Sequence, residues 1–340
     1  MRAAPLTIIA TLGPATPTPA AIAALRDAGA GFLRINGSHV HPGQLAQALD
    51  LAEQGGFAPD QIVLDLQGGK TRLGWLAASV EARSGQRLTL VPTAVQGVPN
   101  PEILAVDRPS FLRSLAPGDR VRVDDGRMEL VVLAAHGTRV TVESLGAGVL
   151  GPRMGLARAG GGVDPEVHLL ASDRALLDRA LPRGVTTLAL SCAEDPELLR
   201  LVRRHARRVA PNLPVRMVAK LETSAALAAW RPLGSEADAL WLCRGDLGAE
   251  MGLERLPAAV RRLLAEALPD TPLLVAGEVL YHMTVGPRPT RSELCHVADL
   301  ITSGVAGFVL SDETAIGPHG PEAVGWLRRL EAADVEATDG

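Results

Sequence analysis

Residues 215–248 read VRMVAKLETSAALAAWRPLGSEADALWLCRGDLG. The stretch holds two short apolar runs, at 215–221 and 239–244, and charged residues stand at the end of each run. An Ala- and Leu-rich segment with helical spacing lies between them. A strand, a helix and a second strand in this order are typical of a βα unit in a parallel sheet.

The same alternation recurs along the whole chain. Apolar runs stand at 6–12, 31–35, 61–66, 186–191, 215–221, 239–244, 273–277 and 307–311, and a longer stretch rich in Ala, Leu and Arg follows each of them. Eight such units predict an α/β fold, a closed (β/α)8 TIM barrel. Aromatic residues make up only 3% of the chain, so small and branched aliphatic side chains must fill the core, as in a barrel interior.

The spacing between units breaks once, where more than a hundred residues separate the third run from the fourth. A βα connection needs far fewer. Within this interval the sequence changes to short strand-like runs at 87–92, 120–123, 129–133 and 139–142, with Gly and Pro turns. We therefore predict a small β-rich cap domain at 75–165, inserted after strand 3, and a barrel made of 1–74 and 166–340.

Composition narrows the partners. A net charge of −4 and a pI near 6.1 give no positive field that would attract nucleic acid. No apolar run approaches the ~20 residues of a membrane span, and we do not expect the first residues to form a signal peptide. Three widely spaced cysteines favour a cytoplasmic location over a disulfide framework. We expect small-molecule partners, and a homo-oligomer is compatible with the sequence.

Reactive residues follow several of the predicted strands, at the barrel end where active sites lie. Glu222 and Asp246 end neighbouring strands, so their carboxylates could hold one hard cation. Lys220 stands two residues before Glu222 and therefore points to the same face. Its ammonium could neutralise a phosphoryl group bound at that cation, or it could be a structural salt-bridged lysine.

Arginine and glycine residues extend this predicted site. Arg34 and Arg72 carry planar guanidinium groups that can bind phosphate oxygens in a bidentate manner, which indicates a polyanionic substrate. Gly245 would let backbone amides approach an anion closely, because no Cβ stands in the way. His39 either faces a nucleotide or packs within its loop, and the sequence leaves both interpretations open.

Lysine usage is unusual. Of the 34 basic residues only Lys70 and Lys220 are lysines. Because Arg serves everywhere else, a retained lysine indicates a position that requires a compact ammonium.

Seven motifs, in this order, resemble the pyruvate kinase family. They are TLGP at 11–14, RINGSH at 34–39, VDDG at 123–126, AKLE at 219–222, RGDLG at 244–248, PRPTR at 287–291 and LSDETA at 310–315. The resemblance implies a phosphotransferase that converts phosphoenolpyruvate and ADP to pyruvate and ATP in the final step of glycolysis.

The resemblance also implies roles for individual residues. Glu222 and Asp246 would bind Mg²⁺ or Mn²⁺, and Lys220 and Arg34 would be catalytic. The implied contacts to phosphoenolpyruvate are Arg34, Lys220, Gly245, Asp246 and Gly277, and those to the nucleotide are Pro14, His39 and Arg72.

A monovalent-cation pocket is the third implied site, formed by Asn36, Ser38, Asp65, Leu66 and Lys70. Potassium-dependent members of the family place a Glu at the position of Lys70, whereas potassium-independent members place a Lys there. We therefore expect the Lys70 ammonium to take the place of K⁺.

Two departures from the family leave alternatives open. Gly277 stands where a Thr is usual, and loss of that hydroxyl could slow proton transfer ~10²-fold or more. The chain also ends where the family usually continues into a C-terminal effector domain, which we expect to be absent. The alternatives are a metal-dependent pyruvate-enolate lyase or aldolase, and an impaired homologue that acts as a binding subunit. The predicted cap and the two retained lysines favour the kinase.

Overall fold

The computed structural model describes residues 5–76, 78–93, 100, 102–161, 168–266 and 271–339. Its strands are β1 Thr7–Thr11, β2 Phe32–Asn36, β3 Ile62–Leu66, β4 Thr71–Arg72, β5 Val80–Ala82, β6 Arg87–Pro92, β7 Ile103–Val106, β8 Arg120–Val123, β9 Met128–His136, β10 Arg139–Ser144, β11 Gly148–Leu150, β12 Gly155–Arg158, β13 Thr187–Leu190, β14 Arg216–Leu221, β15 Ala239–Cys243, β16 Leu273–Ala276 and β17 Gly307–Val309.

Apart from α3 at Pro109–Ser114, which lies between β7 and β8, the helices follow the barrel strands and cover their outer face. They are α1 Pro19–Asp27, α2 Leu45–Gln54, α3 Pro109–Ser114, α4 Ala171–Ala180, α5 Pro196–Val209, α6 Ser224–Ala228, α7 Trp230–Glu236, α8 Arg244–Met251, α9 Leu256–Glu266, α10 Arg291–Thr302, α11 Asp312–Ala315 and α12 Gly320–Asp339. None of the helices in the described part of the chain is long and apolar enough to cross a membrane.

Eight parallel strands close into a barrel in the order β1-β17-β16-β15-β14-β13-β3-β2. Closure is made by β1, which pairs with β17 on one side and with β2 on the other. The predicted (β/α)8 barrel is therefore confirmed, and the eight predicted apolar runs contain its strands, with the last residue of β2 beyond its run.

The barrel has an inner and an outer layer of apolar side chains because side chains alternate along each strand. Val63, Val218 and Trp241 belong to the inner layer, which fills the barrel axis. Leu64 and Leu66 belong to the outer layer, which packs against the surrounding helices. The residues that end the strands on the inner register consequently point into the barrel mouth.

A second sheet of seven strands, in the order β4-β12-β8-β9-β10-β6-β7, and the short pair β11-β5 interrupt the barrel after β3. We call this unit, residues 71–158, the cap. Its sheet begins at Thr71, four residues before the predicted boundary, because β4 pairs with β12 where the chain enters and leaves the unit. A separate apolar cluster, which includes Val121 and Leu130, forms its core.

Polar contacts hold the cap over the carboxyl ends of the barrel strands. Arg153 of the cap donates from Nε to the Ser38 carbonyl oxygen at 3.0 Å. On the other side, Arg122 Nη1 donates to the Ala249 carbonyl oxygen at 2.8 Å. The space between the cap and the barrel mouth is thereby narrowed to a cleft.

Candidate active site

The cleft between the cap and the barrel mouth has a volume of about 350 Å³. Ten of the residues singled out from the sequence line it, and they come from both units of the fold. They are Arg34, Asn36, His39, Lys70, Arg72, Lys220, Glu222, Gly245, Asp246 and Gly277.

Lys220 lies at the end of β14 and its ammonium is surrounded by oxygen atoms. Nζ lies 3.0 Å from Asp65 Oδ2, 2.8 Å from Ser191 Oγ and 2.9 Å from Glu222 Oε1. Burial would lower the pKa of Lys220, but the charges of Asp65 and Glu222 outweigh burial and raise it. The side chain is therefore a permanent cation in the barrel mouth.

Asp65 is shared between Lys220 and Arg34. The guanidinium of Arg34 donates from Nε to Asp65 Oδ2 at 2.7 Å, and its Nη2 lies 2.6 Å from the same oxygen. Burial would raise the pKa of Asp65, but the two cations outweigh it and the pKa is lowered. One carboxylate thus orients both of the predicted catalytic cations.

Glu222 follows β14 and is fixed at both of its oxygens. Oε1 faces Lys220, and Oε2 accepts a hydrogen bond from the Cys192 backbone N–H at 2.7 Å. Cys192 has φ +47°, a left-handed conformation that is uncommon for a residue other than Gly. Burial, followed by the Glu222 charge, raises the pKa of the Cys192 thiol well above its usual range.

Asp246 lies in the first turn of α8, directly after β15, where the helix dipole favours a negative charge. Lys70 Nζ lies 2.6 Å from Asp246 Oδ1 and 2.7 Å from Oδ2. Burial would raise the pKa of Asp246, but the Lys70 charge and hydrogen bond outweigh it, so the pKa is lowered. Both predicted metal-binding carboxylates therefore face ammonium groups.

The five residues assigned to a monovalent-cation pocket lie on β2, on β3 and in the loops that follow these strands, and Asn36 pairs with Asp65. Lys70 pairs with Asp246, whereas the Asp65 carboxylate is occupied by Arg34 and Lys220. Leu66 packs in the outer layer of the barrel core, since it alternates with the inward-facing Asp65. The placement of Lys70 follows from charge, because Asp65 already has two cations.

The remaining members of that pocket lie beside the β2 loop. Asn36 lines the cleft, and its Oδ1 accepts a hydrogen bond from the Ser38 backbone N–H at 3.1 Å. Ser38 is buried and lies outside the lining of the cleft.

Two of the three residues predicted for the nucleotide line the cleft. Arg72 is buried, and its Nη1 donates to the Arg153 carbonyl oxygen at 2.6 Å. Its Nε is buried and has no hydrogen-bond partner among the described residues. Pro14, by contrast, is exposed on the β1 loop and lies outside the lining of the cleft.

His39 faces the cleft, although its side chain remains accessible to solvent. Loss of hydration, followed by the charges of Arg72 and Arg34, lowers the pKa of His39 to about 3. The imidazole is therefore neutral near pH 7, so one ring nitrogen can donate a hydrogen bond and the other can accept one.

Gly277 and Gly245 lie against each other where β15 and β16 end. Gly277 has φ +84°, and a Cβ on it would lie 3.0 Å from the Gly245 nitrogen. A Cβ on Gly245 would lie 2.7 Å from Asp125 Oδ2. The close approach predicted at Gly245 is therefore made in this structure by a cap carboxylate.

Several functional candidates were not assigned from the sequence. Asp125 belongs to the quoted 123–126 motif, and its proximity to Asp246 could not be inferred from that motif alone. Burial, followed by the Asp246 charge, raises the pKa of Asp125 to about 7. Ser191, Arg127 and Tyr281 were also missed, since their contacts join segments far apart in the chain.

The donor set is compatible with a divalent cation. Glu222 and Asp246 are the kind of oxygen ligands that Mg²⁺ takes, and both line the cleft. Among the described residues no three His, Cys, Asp or Glu side chains form a metal-binding group. The two carboxylates would therefore hold an ion together with water and substrate oxygens.

Comparisons with known proteins agree with this geometry. The family model described as pyruvate kinase, barrel domain, matches residues 4–324. The pyruvate kinase of Methylorubrum extorquens is 32% identical over 330 residues, which cover 95% of this chain and 67% of that protein. The pyruvate kinase of Aeropyrum pernix is 30% identical, with 96% of this chain and 70% of that protein covered.

A solved structure extends the similarity to three dimensions. The crystal structure of Cryptosporidium parvum pyruvate kinase has a TM-score of 0.85 and 25% sequence identity, and the match covers 97% of this chain and 70% of that chain. From the barrel, the cleft residues and these matches, we conclude that the chain belongs to the pyruvate kinase family.

Proposed function

We propose that the chain transfers the phosphoryl group of phosphoenolpyruvate to ADP, giving pyruvate and ATP. One observation carries the proposal: Lys220, Glu222 and Asp246 converge on a single cleft that also contains Arg34 and Arg72. Two carboxylates beside an ammonium and two guanidinium groups suit a metal-bound phosphate ester and a second polyanion. Family membership supports the same activity.

In the proposed reaction, Arg34 and Lys220 hold the phosphate of phosphoenolpyruvate. The bond between phosphorus and the enol oxygen breaks, and a bond forms to a terminal oxygen of the β-phosphate of ADP. Lys220 stabilises the negative charge of the phosphoryl group during this transfer. The enolate then takes up one proton at its methylene carbon, so phosphoenolpyruvate, ADP and a proton give pyruvate and ATP.

The other residues bind and position the reactants. Glu222 and Asp246 would hold Mg²⁺ or Mn²⁺, which would add positive charge beside the phosphoryl oxygens. Arg72 and the neutral His39 would bind the nucleotide, and Asp65 keeps the two catalytic cations in place. The cap would exclude water, since phosphoryl transfer to water would waste the substrate.

A turnover assay tests this proposal. The full chain is given phosphoenolpyruvate, ADP and Mg²⁺, and both pyruvate and ATP are measured. We expect pyruvate to form only with ADP and in equal amount to ATP. Glu222→Gln should lower kcat by about 10³-fold, because a charged ligand is lost, whereas Glu81→Gln, at an exposed cap position, should not. Pyruvate formed without ADP would indicate a lyase, and no product would indicate a binding subunit.

We further propose that K⁺ is not required. The Lys70 ammonium forms a salt bridge with Asp246 and supplies one positive charge within the cleft. We expect equal turnover with and without 100 mM K⁺, used at about physiological ionic strength. Lys70→Glu should lose activity in K⁺-free buffer and regain part of it with K⁺, because a free cation would then have to offset two carboxylates. Equal activity of Lys70→Glu in both buffers would contradict the proposal.

A further inference from the structure

A contact between the cap and the barrel forms one wall of the cleft and has no role in the reaction as described above. Arg127 is the last residue of the turn between β8 and β9, and its Nη2 donates to the Tyr281 hydroxyl at 3.0 Å. The guanidinium carbon also lies 5.6 Å from the centre of the Tyr281 ring. Tyr281 is the single tyrosine of the chain and stands in the loop after β16.

Two carboxylates complete this contact from opposite sides. Arg127 Nη1 lies 3.1 Å from Asp124 Oδ2, within the cap turn itself. Arg127 Nη2 lies 3.6 Å from Oδ2 of Asp312, which is the first residue of α11 and ends the loop after β17. The one guanidinium therefore joins the cap turn to two successive barrel loops, and all four residues line the cleft.

The turn that carries Arg127 is backbone-strained. Asp124 and Asp125 both have φ +54°, a conformation that residues other than Gly adopt only where the surroundings impose it. The strained turn brings Asp125 against Gly245 and Asp246. The position of Asp125 in the cleft therefore depends on the contacts that hold the turn against the barrel.

Other contacts between the cap and the barrel do not take this role. Arg153 and Arg122 donate to backbone carbonyl groups at the β2 and α8 sides of the barrel. Arg127 acts at the β16 and β17 side, directly beside the strained turn. A single exposed ion pair contributes little, so the combination of hydrogen bond, ring contact and two carboxylates matters here.

We propose that Arg127, Tyr281 and Asp312 form a clasp that fixes the closed position of the cap and so positions the nucleotide-binding side of the cleft. The effect on catalysis rests on the proposed phosphotransferase function, whereas the clasp itself does not. Arg34 and Lys220, which are proposed to hold the phosphate of phosphoenolpyruvate, belong to the barrel and bond to Asp65, so the clasp affects phosphoenolpyruvate binding less than nucleotide binding. Asp124 and Asp125 of the cap turn line the cleft, and their position depends on the clasp.

Cap position is measured first, without substrate. Nitroxide labels are placed on Cys295, which is exposed on α10, and on an Arg139→Cys substitution at an exposed cap position. Cys243 is buried and burial raises the pKa of Cys192, so these two thiols react slowly with the label. Double electron–electron resonance then gives the distribution of distances between cap and barrel.

We expect Arg127→Ala to broaden this distribution and shift it to longer distances. Tyr281→Phe, which keeps the ring but loses the hydroxyl, should give an intermediate result. Arg120→Ala is the matched control, because Arg120 pairs with Glu129 inside the cap and should leave the distribution unchanged. A distribution for Arg127→Ala and Tyr281→Phe identical to that of the parent chain would overturn the clasp, whether or not the protein turns over substrate.

Kinetics give the second measurement. Arg127→Ala should raise KM for ADP at least fivefold while KM for phosphoenolpyruvate changes less than twofold. Arg127→Lys should restore part of the ADP effect, because a lysine keeps the charge and the ring contact. Equal increases in both KM values would overturn the assignment of the clasp to the nucleotide side. An absence of turnover in the parent chain would reject the proposed function and leave the distance measurement as the test of the clasp.

Discussion

Asp65 is the residue on which the two catalytic cations depend. It is almost fully buried, and it accepts hydrogen bonds from both Arg34 and Lys220. Removing one partner of a buried ion pair commonly costs about 3–5 kcal/mol, since the other charge stays buried and unpaired. Neither Arg34 nor Lys220 can therefore be changed without disturbing the other through Asp65.

The identities and positions of the residues predicted much of the site, but not which charged side chains pair with each other. Lys220, Glu222 and Asp246 were expected together because they end neighbouring strands, and the cleft brings them together. The partner of Lys70 was not predictable in this way. Lys70 lies in a loop, and its partner is decided by which carboxylate still lacks a cation, which is known only once all the side chains are in place.

Gly277 gives a prediction at this scale. A Thr at Gly277 would require a left-handed conformation at φ +84°, and its Cβ would lie 3.0 Å from the Gly245 nitrogen. We expect Gly277→Thr to lower the free energy of unfolding by about 2 kcal/mol and to lower kcat instead of raising it. Urea denaturation and steady-state kinetics measure the two effects.

Gly277→Ala is the control for that variant, because it adds the same backbone strain without a hydroxyl. Similar losses in the two variants would assign the effect to strain. A Gly277→Thr protein of unchanged stability and higher kcat would show that the loop tolerates the side chain and that the missing hydroxyl limits turnover.

At the scale of elements, the loop after β3 is tied to the first turn of α4. Asp173 of α4 accepts hydrogen bonds from the backbone N–H groups of Gln67 at 3.1 Å and Gly68 at 3.0 Å. These bonds fix the start of the loop that carries Lys70. Burial nevertheless raises the pKa of Asp173 to about 6, although the two N–H groups oppose this effect.

The sign of the resulting pH dependence follows from the raised pKa. The folded protein holds the Asp173 proton more tightly than the unfolded chain, whose aspartates titrate near 3.8. This contribution to stability is therefore present below pH 4 and is lost as the pH rises through 6. A shift of about two pKa units corresponds to about 3 kcal/mol.

The test compares the free energy of unfolding of the parent chain with that of Asp173→Asn. We expect the difference, parent minus variant, to fall by about 3 kcal/mol between pH 4 and pH 7. The amide keeps one oxygen, which can accept from one of the two loop N–H groups, so the variant should fold. Denaturant unfolding of both proteins at several pH values gives the difference. A difference that rises with pH would mean that the two N–H groups outweigh burial.

Secondary-structure elements were predicted best where the pattern of apolar residues was most regular. The eight barrel strands lie almost entirely within the predicted runs, since each is an apolar segment with a helix after it. The short cap strands β4, β5, β7, β11 and β12 were not predicted, because so few residues carry little periodic signal. Their pairing with distant segments decides their structure.

At the scale of the whole molecule, the barrel and the cap have separate apolar cores. The cap cluster contains Leu130 and Val121, and the barrel clusters contain Leu64 and Trp241. The contacts that join the two units are mainly hydrogen bonds and ion pairs at the cleft. Polar interfaces of this kind allow units to unfold separately.

We expect two unfolding transitions in scanning calorimetry. Leu130→Ala, in the cap core, should lower the transition of the cap, with a cost of about 2–5 kcal/mol, and leave the other transition unchanged. Leu64→Ala should do the reverse. Trp230, Trp241 and Trp326 lie in the barrel, so tryptophan fluorescence should follow mainly the barrel transition. One transition that moves by the same amount in both variants would contradict independent cores.

The pairing of β4 with β12 has a consequence for how such a molecule can change over generations. The chain enters and leaves the cap through two hydrogen-bonded neighbouring strands, Thr71–Arg72 and Gly155–Arg158. The covalent connection of everything between them to the barrel therefore runs through this one pair of strands. Insertions, shortening or wholesale exchange of the enclosed segment can therefore occur without altering the order of the eight barrel strands, which makes the cap a replaceable module.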